Sequence, residues 1–232
     1  MNERTALVTG ASKGLGRALA AELNRSGWRV VVDARDADRL AATVAALPRP
    51  DLVTAVPGDV ADPDHRRELA AAVGDRLDLL VNNASDLGPS PLPHLAELSP
   101  ERFSRLLAVN VVAPLALVQA VLPALRSTGG RVLDISSDAA VEAYEGWGGY
   151  GASKAALDQL SAVLAVELPD LRVYAVDPGD MRTAMHQAAF PGEDISDRPE
   201  PETVVPALLR LVTEGLPSGR YRAADLAEAV TR

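Results

Sequence analysis

Six short apolar runs rich in β-branched residues recur along the chain, at 6–9, 29–33, 52–56, 77–81, 131–135 and 171–176. Their apolar positions are largely consecutive rather than alternating, the pattern of strands covered on both faces. Longer, alanine-rich amphipathic segments lie between them, at 15–26, 37–47, 63–73, 100–125 and 151–168. Strand–helix–strand repetition of this kind predicts an α/β fold, a doubly wound parallel sheet with right-handed crossovers. Neither a composition break nor a fixed-period repeat divides residues 1–232, so a single domain is expected, long enough to bury most of its unfolded surface.

Composition removes several kinds of function. With 23 Lys+Arg against 32 Asp+Glu the net charge is −9, which argues against binding nucleic acid or anionic lipid by bulk charge. The absence of cysteine excludes disulfides, thiolate nucleophiles and sulfur-ligated metals. Three scattered histidines (His65, His94, His186) read as surface or internally satisfied groups, and no metal site is expected. The N-terminal stretch is too short for a signal peptide. The longest apolar run, 111–118, is too short to span a bilayer and is interrupted by Pro114. No nucleic-acid or membrane partner is expected, and a cytoplasmic location is.

Chemistry gathers first around Gly10, Ser12, Lys13, Gly14, Leu15 and Gly16, where the first strand gives way to the first helix. Gly10 permits the tight turn, Gly14 lets the backbone approach a pyrophosphate, and Gly16 allows close helix–strand contact. The helix N-terminus then offers unpaired N–H groups to phosphates. Two proline-rich segments, 85–100 and 185–201, follow strands and so emerge at the carboxyl edge of the sheet, where open α/β folds bind ligands. They are the expected substrate loops.

The glycine spacing G-x-x-x-G-x-G within TGASKGLG resembles that of the short-chain dehydrogenase/reductase family, and further matches follow in chain order. Asp59-Val60 stands where that family contacts the adenine ring. Asn82-Asn83-Ala84 is similar to its N-N-A-G motif, with Ser85 in place of the last glycine. Asn110, Ser137, Tyr150 and Lys154 match its catalytic four, and Pro178-Gly179 its P-G turn. The resemblance implies a Rossmann-type fold, a nicotinamide dinucleotide and hydride transfer to or from a carbonyl carbon. It is dense over residues 5–183 and loose beyond.

At the end of the second strand the ribose-recognition position falls on Ala34, with Arg35 next, where NADP-preferring relatives place a base. A guanidinium can grip a 2′-phosphate with two hydrogen bonds, and Lys13 is near enough to add a second charge. NADP(H) is therefore expected, although a one-residue slip would make Asp33 a ribose ligand and favour NAD(H).

Tyr150 and Lys154 are spaced i, i+4 and share one helix face. Free tyrosine has a pKa of about 10, and a fixed cation nearby can lower it by about 1–3 units. Tyr150 would protonate the carbonyl oxygen during reduction while Ser137 stabilises the developing charge. The resemblance implies that Asn110 holds a water linking Lys154 to solvent, and that Thr183 and the Met181 backbone hold the carboxamide of the nicotinamide. Tyr144 and Trp147, close to Tyr150, suggest an apolar or aromatic substrate wall; Trp147 could equally pack its loop against the core.

Carbonyl reduction with NADPH is the expected function, on a small-molecule substrate. Physiological alcohol oxidation and a non-catalytic dinucleotide-binding regulator are the alternatives. The helices at 100–125 and 151–168 carry surplus apolar residues, such as Val111, Val112, Leu115, Val118, Leu157, Leu160, Val163 and Leu164. By resemblance they imply a homodimer or homotetramer; otherwise they only cover the sheet.

Overall fold

A computed structural model describes residues 4–228. Seven strands form one parallel sheet: β1 (Thr5–Val8), β2 (Arg29–Ala34), β3 (Val53–Pro57), β4 (Leu79–Asn82), β5 (Arg131–Ile135), β6 (Arg172–Asp177) and β7 (Gly219–Arg222). Their order is β3-β2-β1-β4-β5-β6-β7. The six expected strands are present within one or two residues of their expected ends.

The helices are α1 (Gly14–Arg25), α2 (Ala37–Ala45), α3 (Pro63–Val73), α4 (Pro100–Leu107), α5 (Ala113–Arg126), α6 (Gly148–Glu167), α7 (Ala184–Ala189), α8 (Val205–Thr213) and α9 (Ala223–Glu228). Proline opens several first turns, where its missing N–H costs nothing: Asp62 caps α3 ahead of Pro63, and Ser99 caps α4 ahead of Pro100.

Consecutive apolar residues in a strand part company in space. Ala6 and Val8 face a layer built with α1 and α8, whereas Leu7 between them faces α3 and α5. Val30, Val32 and Val31 divide in the same way on β2. Each face thus has its own core, which explains the unbroken apolar runs. At about 1.5–3 kcal/mol per fully buried large aliphatic side chain, this two-sided burial is the main stabilising contribution.

Strand order reverses between β1 and β4, so the chain leaves these two neighbours in opposite directions and opens a crevice at their carboxyl ends. The glycine turn after β1 and the Asn-Asn-Ala segment after β4 both lie there.

Two features depart from expectation. β7 and α8 extend the sheet and its cover beyond the last expected strand. In addition, the helix at 100–125 is not uniform: between α4 and α5, residues 108–112 widen into a π turn, closed by the Ala113 N–H on the Ala108 carbonyl. Pro114 has no N–H to offer the Asn110 carbonyl four residues earlier, so an ordinary helical bond is missing there. Pro100–Arg126 as a whole is 27 residues and contains an 18-residue stretch of mean hydropathy 2.1, so its apolar character extends beyond the run at 111–118. Leu117, Val118, Val121 and Leu125 pack into the core under the sheet, which accounts for that character.

Candidate active site

The glycine turn is held from beneath. Thr9 Oγ1 accepts the N–H groups of Asn83 and Ala84, each at 3.0 Å, and donates to the Val81 carbonyl at 3.2 Å. Asn83 Nδ2 donates to the carbonyls of Thr9 (2.8 Å) and Gly10 (3.2 Å). Gly10 takes φ +67°, and a Cβ on it would come within 2.9 Å of the Ala84 backbone. A Cβ on Gly16 would lie 2.4 Å from Asn83 Nδ2 and 2.6 Å from the Gly10 carbonyl oxygen. The close contact expected at Gly16 is therefore with this strut. Asn83 lines the cleft, but its amide supports the turn.

Asp33 serves the same turn. Its Oδ1 accepts the Gly10 N–H at 2.7 Å and its Oδ2 meets His65 Nε2 at 3.0 Å, with 1% of the residue exposed. Both oxygens are committed inward, so the one-residue slip that would make Asp33 a ribose ligand does not occur. Burial raises the Asp33 carboxyl. The hydrogen bond to Asp33 raises His65, so the pair retains a proton to higher pH than free histidine would. His65 is a core histidine bonded through Nε2 alone, its buried Nδ1 having no hydrogen-bond partner, and it is seated where Gly58 leaves room for its ring.

From the turn, one continuous cleft runs across the sheet edge to α6. Lys13, Ala34 and Arg35 line one end together with Asp59, Val60 and Arg105. Lys13 and Arg35 are exposed, and among the described residues neither is paired with a carboxylate. Asp59 is ion-paired with Arg105, accepts the Ala61 N–H at 2.9 Å, and sits below the usual carboxylate range because of these contacts and the nearby Arg35. Ser12, Leu15, Ala84, Pro178, Gly179, Met181 and Thr183 also line the cleft. The Thr183 hydroxyl caps α7 by accepting the His186 N–H at 3.1 Å, which leaves its own proton free to donate.

Ser137, Tyr150 and Lys154 converge at the other end. Tyr150 and Lys154 are 8% and 2% exposed on the first turns of α6. Lys154 Nζ donates to the Ile135 carbonyl at 2.7 Å and lies 5.4 Å from the Tyr150 ring centre. Burial lowers Lys154 to about 8, against the pull of Asp134 and Asp158. Burial also pushes the Tyr150 phenol well above its ordinary value; Ser85 and Ser137 draw it back, while Asp138 and Asp177 add to the rise. Lys154 does not contribute to this balance, its ammonium being aimed at the Ile135 carbonyl.

Asn110 is 1% exposed, and its side chain is fully engaged. Nδ2 donates to the Asp86 carbonyl (2.8 Å) and Ser153 Oγ (2.9 Å), while Oδ1 accepts from the Asp86 N–H (2.8 Å) and Ser85 Oγ (3.2 Å). Ser85, standing where the motif has glycine, therefore ties the loop after β4 to the π turn.

The wall opposite the glycine turn is apolar. Leu87, Ala139 and Tyr150 pack with Leu92, Trp147, Met185, Ala188 and Ala189. Trp147 meets Tyr150 edge-on at 5.8 Å and Phe190 at 5.9 Å. Tyr144 is no part of this wall, since its hydroxyl turns outward to Asp138 (3.0 Å) and Glu142 (2.7 Å). The segments at 85–100 and 185–201 meet where Ser90 Oγ donates to the Ala188 carbonyl at 2.7 Å. Arg105 in the cleft and Arg220 behind Ser137 went unread in sequence, where no local signal marks them.

One cleft at the switch point of a Rossmann-type sheet, running from a glycine turn to a buried tyrosine–lysine pair, defines an oxidoreductase scaffold. The family model for short chain dehydrogenases matches residues 4–194, and the chain belongs to that family. It is 37% identical over 193 residues to the rhamnolipids biosynthesis 3-oxoacyl-[acyl-carrier-protein] reductase of Pseudomonas aeruginosa, covering 78% of this chain and 74% of that one. To L-xylulose reductase of Bos taurus it is 36% identical over 191 residues, covering 81% and 75%. A Shigella flexneri protein described as a short chain dehydrogenase and solved in complex with NADP superposes with a TM-score of 0.88 at 30% identity, covering 97% and 98%.

Proposed function

We propose that the protein reduces a ketone or aldehyde to an alcohol with NADPH, using Tyr150 as the general acid. The observation that carries this is the placement of Tyr150, 8% exposed, in one cleft with Ser137 and Lys154. A phenol placed there can give its proton to a carbonyl oxygen as the hydride reaches the carbon.

The residues present fit a phosphorylated dinucleotide. The glycine turn is a cradle in which a side chain at Gly10 or Gly16 would strike backbone or strut. Lys13 and Arg35 offer uncommitted cations at the place for a 2′-phosphate. Asp59 and Val60 would border the adenine, Asn83 and Ala84 the adjoining ribose region, and Pro178, Gly179, Met181 and Thr183 the carboxamide of the nicotinamide. When bound, that cofactor supplies the hydride.

Tyr150 donates its proton to the substrate oxygen, and Ser137 hydrogen-bonds the same oxygen as charge develops on it. Lys154 holds the ribose and stabilises the phenolate left behind. Because the Asn110 side chain is engaged, its backbone carbonyl, deprived of a partner at Pro114, holds the water that returns a proton to Lys154. The wall around Trp147 and Met185 receives the apolar body of the substrate, and the segments at 85–100 and 185–201 set its identity.

Val112, Val163 and Val166 are exposed on the outer faces of the π turn and α6. They are the surface of a homodimer or homotetramer in the cytoplasm. Val118 and Leu157, first grouped with them, face the core instead. NADPH oxidation followed against aliphatic, aromatic and polycyclic ketones tests the proposal: turnover of apolar members supports it, and cofactor binding without turnover across the panel contradicts it.

A further inference from the structure

Arg220, on the edge strand β7, reaches back under the active site. Its Nε donates to Asp158 Oδ2 at 2.8 Å and its Nη2 to the carbonyl oxygen of Ser137 at 2.9 Å. These partners belong to different elements. Ser137 follows β5 in extended conformation (φ −161°, ψ 160°), and Asp158 sits one helical turn beyond Lys154 on α6. Asp158 is largely covered, with 14% of its side chain exposed, whereas Arg220 lies at the surface with 29% of its side chain exposed. A planar guanidinium can hold two acceptors at a fixed separation, which a single ammonium cannot reproduce.

We propose that Arg220 is a positioning residue, which fixes the catalytic serine relative to the helix carrying Tyr150 and Lys154 by holding the Ser137 carbonyl and the Asp158 carboxylate on one guanidinium. This rests on the reading of Ser137, Tyr150 and Lys154 as the reacting groups. Ser137 Oγ must meet the same substrate oxygen as the Tyr150 hydroxyl, so a small shift of its backbone separates two groups that have to act together. Ser137 has only local restraints of its own: Oγ donates to Asp138 at 2.9 Å and accepts the Ala139 N–H at 3.2 Å.

Charge links the same residues. Lys154 is flanked by Asp134 on β5 and Asp158 on α6, both of which favour its ammonium form. Arg220 offsets part of the Asp158 charge, and it also acts on Asp177 of β6 together with Arg222. Removing the guanidinium leaves Asp158 more strongly negative towards Lys154 and raises the lysine. Removing the carboxylate does the opposite.

Steady-state kinetics with NADPH and a turned-over ketone, over a range of pH, test this with Arg220→Met, Arg220→Lys, Asp158→Asn and Tyr150→Phe. Arg220→Met is expected to lower kcat about tenfold while the KM for NADPH changes by less than about twofold. The basic limb of its kcat profile should move up by about half a unit or more, and that of Asp158→Asn down. Arg220→Lys should restore the limb and only part of kcat. If the profiles of Arg220→Met and Asp158→Asn overlay the wild type, the positioning role is overturned, whatever happens to the melting temperature. Should Arg220→Met fail to fold, Arg220→Lys with full kcat or Asp158→Asn with an unmoved limb overturns it equally. Tyr150→Phe as active as wild type, or a wild type that reduces no ketone, refutes the reading of the site itself, and the positioning role falls with it.

Discussion

The carboxylate of Asp33 and the imidazole of His65 meet at 3.0 Å beneath the glycine turn, 1% and 4% exposed. An acidic residue at the end of a second strand invites assignment to the ribose hydroxyls. Here it is drawn away by His65 on one side and the Gly10 N–H on the other. On the proposed reading, cofactor choice falls to Arg35 and Lys13.

Arg35→Ala should therefore weaken NADPH far more than NADH. Hydrogen bonds between charged partners contribute about 1.5–3 kcal/mol, so a loss of about 10- to 100-fold in NADPH affinity is expected. Fluorescence titration with both cofactors checks it; an unchanged ratio of the two dissociation constants would sink the assignment.

His65 gives stability a pH dependence. Its folded-state pKa lies above the unfolded value because Asp33 favours the cation. The native state then binds more protons than the unfolded one above about pH 6.5, and stability falls as pH rises through the folded-state value. Urea denaturation midpoints should decline over that window in the wild type. In His65→Gln, which keeps a donor for Asp33 but does not titrate, the decline above about pH 6.5 should be smaller. A decline of equal size in both proteins would contradict the role.

Lys154→Arg preserves charge but not shape. The ammonium sits in a space 2% exposed and makes one bond, to the Ile135 carbonyl, which a larger fork with five donors cannot enter without displacing its neighbours. Turnover should fall by about 10²-fold, the scale of a misplaced catalytic group. In the wild type, the reduction rate should decline above about pH 8 as Lys154 loses its proton. Kinetics of both proteins between neutral and alkaline pH check the pair of statements, and an arginine variant of full activity contradicts the first.

Much of this was legible before the fold was known, for physical reasons. Buried parallel strands announce themselves as unbroken apolar runs, and the turn glycines stand at the junction of strand and helix. The chain has 21 arginines and two lysines, and both lysines, Lys13 and Lys154, lie along the cleft. β7 escaped notice because Gly-Arg-Tyr-Arg is an edge strand with alternating exposure and no apolar run. Arg105 and Arg220 escaped because their partners lie 46 and 83 residues away, at separations that only the fold closes. Asp33 could be placed only once β2 had a register, since a shift of one residue exchanges the two faces of a strand.

The account turns on Tyr150 as the proton donor, and Tyr150→Phe addresses it most directly. The ring keeps its edge contact with Trp147 while the hydroxyl is lost. NADPH affinity from fluorescence titration should be unchanged, and turnover of the best ketone in the panel should fall by about 10²-fold or more. Turnover retained within a few-fold of the wild type, with cofactor still bound, would contradict it.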